Sequence, residues 1–73
     1  MSQNEQVAWY LKVHGSITSL EAYNAFGILR LSARIHDLRA AGMLIYSMDE
    51  TAPNRYGIKT RYTRYYLHDK NTK

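Results

Sequence analysis

The 73-residue chain has no cysteine, a single proline, one phenylalanine and one tryptophan. Without cysteine there is neither a disulfide framework nor a thiolate metal site, a composition compatible with a reducing compartment. No uninterrupted apolar stretch exceeds the five residues of Val7–Leu11, far below the roughly 20 that a membrane helix requires. The amino terminus is polar rather than basic and then apolar, so no secretory leader is read there and a cytoplasmic location is expected. His14, His36 and His68 stand at no ligand spacing, and there is no HExxH pair, phosphate-cradling glycine loop or nucleophile elbow. An enzyme is therefore the least supported class, and no metal, cofactor or small-molecule ligand is expected in a chain too small to enclose a pocket easily.

What is present reads as one folded domain over residues 1–73, with 45% hydrophobic and 22% charged residues. The net charge of +4 is unevenly placed. Residues 1–54 hold four cations against five acids, whereas residues 55–73 hold six cations against Asp69 alone, interleaved with Tyr56, Tyr62, Tyr65 and Tyr66. A basic, aromatic-rich segment points to a polyanionic partner.

Val7, Tyr10, Leu11 and His14 recur at helical spacing, which predicts a first helix from Gln3 to His14, stopped by Gly15. Ser16–Thr18 is short enough to read as an extended link that drops Ile17 into the core. Thr18 with Glu21 three residues on is a capping-box pair, so a second helix should begin at Ser19, carry Leu20, Ala22, Tyr23 and Phe26, and end at Gly27. A third helix is expected from about Leu29 to Ala41, with Ile28, Leu31, Ile35 and Leu38 toward the core and Leu29, Arg30, Ala33, His36, Asp37 and Ala40 broadly opposite. Met43–Met48 then reads as a strand, residues 49–57 as a long loop rich in turn formers, and Lys59–Leu67 as a second, antiparallel strand with Thr63, Tyr65 and Leu67 on one face. Residues 68–73 are polar and read as a frayed tail.

Three helices followed by a hairpin, the second and third joined by a tight glycine turn, make an α+β pattern of the winged helix-turn-helix type. The segments SITSLEAYNAFG (16–27), ILRLSARIHDLRAAG (28–42) and RYGIKTRYTRYYL (55–67) carry it further. With them the chain resembles a small winged helix-turn-helix family common in phages and prophages, over residues 5 to 67, most specifically in the ARI-x-DLR-x-x-G run from Ala33 to Gly42. The resemblance implies a winged-helix fold and binding of double-stranded DNA, as a transcriptional regulator or an accessory recombination factor.

In such a fold the third helix, 29–41, enters the major groove with its amino-terminal half nearest the bases. Arg30 is the first candidate, since a guanidinium on the outward face can bond a guanine bidentately. Ser32 and Ala33 are small enough for close approach, and His36 faces outward. Arg34 borders the core stripe, where a pair with Asp37 or with Glu21 would orient the helix. Arg55, Tyr56, Lys59 and Arg61 form a wing, residues 49–60, whose acidic start turns its distal half toward phosphate or an adjacent minor groove. Thr18 and Ser19 add backbone donors to a phosphate. Four to six such contacts give a slope of log K against log salt of roughly −4 to −5.

The alternative is a winged-helix protein-interaction module. Trp9 and Tyr10 lie on different sides of the first helix, with Tyr10 expected inside and Trp9 at the rim as a contact for a homodimer or a protein partner.

Overall fold

The first helix starts where Ser2 and Glu5 exchange hydrogen bonds: the Ser2 hydroxyl accepts from the Glu5 N–H at 3.1 Å, and the Glu5 carboxylate accepts from the Ser2 N–H at 2.8 Å. This reciprocal cap satisfies two of the backbone donors a helix leaves open. In the computed structural model, which describes residues 1–68, the resulting α1 spans Gln3–His14. There follow β1 (Ser16–Thr18), α2 (Ser19–Phe26), α3 (Leu31–Ala40), β2 (Ile45–Pro53) and β3 (Lys59–Leu67). Of the tail expected to fray, residues 69–73 lie outside the described residues.

Residues 16–18 are more than a link. Ser16, Ile17 and Thr18 pair antiparallel with Tyr66, Tyr65 and Arg64, which makes a three-stranded sheet in the order β1-β3-β2. A three-residue strand carries too little periodicity to be read alone; its partner lies almost 50 residues further along the chain.

The same sheet corrects the wing. β2 runs on to Pro53, so the expected long loop shrinks to the turn around Asn54–Ile58. The turn formers Asp49 and Glu50 are held in strand geometry by cross-strand partners. The Thr63 hydroxyl donates to Asp49 at 3.2 Å, and Arg64 donates to Glu50 at 3.0 Å. Pro53 sits at the end of an outer strand, where a missing N–H costs no ladder bond. The edge is also covered at its other end, where Arg39 Nε donates to the Ile45 carbonyl at 2.9 Å.

One sheet face carries Ile17, Ile45, Tyr65 and Leu67 against the helices, with Val7, Leu11, Ala22, Ile28, Leu31, Ile35 and Leu38 completing the core. Tyr65 and Leu67 share a face as expected, and the stripe of Ile28, Leu31, Ile35 and Leu38 is buried throughout. Of the α2 residues, Leu20 and Tyr23 are exposed, and on α1 His14, at the end of the helical spacing that buries Val7 and Leu11, is exposed as well. α2 is eight residues long, so Ala22 and Phe26, one turn apart, already fill its narrow contact with the core.

Candidate nucleic-acid interface

α2 ends at Gly27 in the left-handed region (φ +71°), where its N–H bonds back to the Tyr23 carbonyl at 2.8 Å. Only glycine adopts that conformation cheaply, and it turns the chain so that Ile28 plunges into the core. The redirection occupies residues 28–30, and α3 therefore starts at Leu31 instead of Leu29. Arg30 is its cap residue, with φ −118° and ψ 66°, and makes no side-chain capping bond. The expectation that Arg30 stands in the first turn is thus corrected by two positions: it caps the helix from the turn ahead of it. Its exposed side chain lines a shallow depression of about 290 Å³ with Gln3, Gly27, Leu29 and Arg34.

Along α3, Ser32 and His36 are exposed, while Ala33 and Arg34 are half-buried. Arg34 pairs with Asp37 at 3.4 Å, one turn on, as the spacing suggested. Asp37 also accepts from the Asn4 side chain at 3.3 Å, which ties α3 to the start of α1. The alternative partner for Arg34, Glu21, is engaged elsewhere.

The wing tip is a built turn. The Asn54 side-chain oxygen accepts from the N–H groups of Tyr56 (2.9 Å) and Ile58 (3.1 Å), the Asn54 N–H donates to the Ile58 carbonyl at 2.9 Å, and Gly57 sits at φ +78°. Arg55, Lys59 and Arg61 are exposed around it, and Tyr56 is 76% exposed. Ile58, which the sequence reading does not single out, stands 64% exposed beside Tyr56. Its signal was available: a large β-branched residue next to a turn glycine has no core to enter.

Of the two residues expected at the start of α2, Thr18 is buried and its N–H is taken by Glu21 at 3.0 Å. That donor is closed to a phosphate, and Ser19, exposed at the first helical position, is the member of the pair placed for such a contact. Trp9 is 46% exposed and Tyr10 packs on the core, as expected, with its ring nearly perpendicular to that of Phe26.

The structure also pairs the acids. Among the described residues the ion pairs are Arg34–Asp37, Arg64–Glu21 at 3.3 Å and Arg64–Glu50 at 3.0 Å. Lys12, Arg30, Arg39, Arg55, Lys59 and Arg61 have no carboxylate partner among the described residues, and Arg39 is spent on the Ile45 carbonyl. The acids at the start of the wing are thus neutralised or hydrogen-bonded, and the cations of its tip are not.

The Tyr66 hydroxyl (2.8 Å), and after it Arg64, hold the Glu50 carboxyl below its ordinary value of 4.5. A carboxyl with a depressed folded-state pKa releases its proton on folding. The stability it contributes is full above the ordinary value and is lost as pH falls through the folded one. The melting temperature of Glu50→Gln is therefore expected to lie below that of the unmodified chain at neutral pH, with the gap closing below pH 4.5. A gap that stays constant down to acid pH would contradict this.

Compared with family models, residues 2–70 match the one described as a winged helix-turn-helix domain. No curated protein and no solved structure matches the chain.

Proposed function

Because the chain belongs to the winged helix-turn-helix domain family, we propose that it binds double-stranded DNA without catalysing a reaction. In this reading α3 lies in the major groove, Arg30 reaches a base edge, and Arg55, Lys59 and Arg61 hold the flanking backbone. Ser32, Ala33 and His36 face the groove, Arg34 contributes to orientation, and Ser19 approaches a phosphate. The biological role is that of a small transcriptional regulator or accessory recombination factor of the phage type.

The observation that carries the reading is the separation of charge. Every acid on the wing and α2 has a partner, while the cations at the head of α3 and at the wing tip have none among the described residues. Phosphate attraction then supplies affinity, and the few groups at the head of α3 supply discrimination. A duplex selected from a random pool should bind the unmodified chain more tightly than random duplex. Arg30→Ala should erase that preference by roughly 10- to 100-fold, the worth of one bidentate base contact. Retained preference in Arg30→Ala would assign discrimination to other residues.

A second reading, a protein-interaction module that also forms homodimers, is favoured by the exposure of Trp9 and of Val13, one turn along α1. It predicts no duplex binding by the unmodified chain and a protein contact that Trp9→Ala abolishes.

A further inference from the structure

Arg64 touches three other elements. Its Nε donates to Glu50 on β2 at 3.0 Å, and one terminal nitrogen donates to both Glu21 oxygens on α2 at 3.3 Å and to the Ser16 hydroxyl on β1 at 3.2 Å. Its partners are held in turn. Glu50 accepts from Tyr66, and Glu21 forms the reciprocal cap of α2 with Thr18. With two carboxylates on one guanidinium, Arg64 stays charged and is not available as a phosphate ligand.

Its place in the fold matters. β1 pairs with β3 only as far as Arg64, and every residue from 53 to 61 is exposed. Beyond Arg64 the two-stranded wing therefore projects with little packing beneath it. At about 3.3 Å per residue the tip lies roughly 20 to 25 Å from Arg64, so a rotation of about 10° at the root displaces the tip by roughly 4 Å. A phosphate hydrogen bond does not survive that displacement.

We propose that Arg64 is a positioning residue, which clamps the root of the wing to the amino-terminal end of α2 and so sets the angle at which the wing tip and α3 meet one duplex. The inference rests on the DNA-binding reading. It differs from a purely stabilising role in one respect. Loss of the clamp disengages the wing tip while leaving α3 competent, so the loss is coupled to the wing cations and not to Arg30.

The test is a pair of double-mutant cycles on random duplex, followed by fluorescence anisotropy over a range of salt. Arg64→Met is expected to bind roughly 60- to 100-fold more weakly at about 0.1 M salt, with a salt slope shallower by about 2, because two or more wing contacts are lost together. Arg55→Ala, costing about tenfold alone, should cost less than threefold in the Arg64→Met background, whereas the effect of Arg30→Ala should be unchanged there. Arg64→Lys keeps the charge but cannot reach both carboxylates in fork geometry, and should recover less than half of the loss.

Circular dichroism fixes which variants are folded at the titration temperature. If Arg64→Met is not, Glu50→Gln, which loosens only the β2 side of the clamp, replaces it in both cycles. Additive effects of the clamp substitution and Arg55→Ala, or an unchanged slope in a folded variant, would overturn the positioning role while leaving DNA binding standing. Absence of duplex binding by the unmodified chain would overturn both.

Discussion

Replacing Arg55, Lys59 and Arg61 together by alanine is expected to weaken binding to random duplex by roughly 10²- to 10³-fold at about 0.1 M salt. The magnitude follows from counterion release. Each phosphate contact contributes about 0.9 to the slope of log K against log salt, so three contacts contribute about 2.7. Extrapolated from 1 M salt, where this term vanishes, to 0.1 M, that slope amounts to roughly 500-fold. The three side chains are exposed and make no ion pair among the described residues, so their loss should leave thermal stability within about 0.5 kcal/mol. A folded triple variant with an unaltered slope would remove the wing from the interface.

Ile35→Ala is expected to have the largest effect on folding. Ile35 is 1% exposed in the centre of α3 and belongs to the single core cluster. An isoleucine-to-alanine change in such a site costs about 2–5 kcal/mol, from lost transfer energy and the cavity left behind. A domain of this length has a total stability of roughly 4–11 kcal/mol. Each kcal/mol moves the melting temperature of a chain this small by about 4–8 °C. A fall of at least about 8 °C is therefore expected in a thermal melt. A fall under about 3 °C would mean that the α3 stripe isn't the centre of the core.

The helical half of the fold was legible because local signals suffice there. A reciprocal cap at Thr18 and Glu21, glycines at positions 15 and 27, and the spacing of Val7 with Leu11 and of Leu31, Ile35 and Leu38 each act within one or two turns. The sheet was legible only where it is long. β3 was read at its observed bounds from its run of threonine and tyrosine, whereas β1 and the outer half of β2 owe their geometry to distant partners. Asp49 and Glu50 look like turn residues until Thr63 and Arg64 stand opposite them.

The candidate site divides along the same line. The exposed cations of the wing tip follow from composition, since a basic tract without nearby acids has nothing to pair with. The position of Arg30 ahead of the helix doesn't follow, because a turn's length depends on where Ile28 must go. Nor does the role of Arg64, which in sequence is one more arginine of the basic strand. In space it is the one that faces both Glu21 and Glu50.

The central claim is that the unpaired cations of this fold meet the backbone of a duplex, and a salt titration of the unmodified chain against random duplex DNA tests it most directly. Arg55, Lys59 and Arg61, with Arg30 resting on a phosphate where a random duplex offers it no preferred base, predict a slope of log K against log salt of about −4, a loss of a few hundredfold between about 50 and 200 mM salt. No binding at about 50 mM salt, or a slope shallower than about −1, would contradict it.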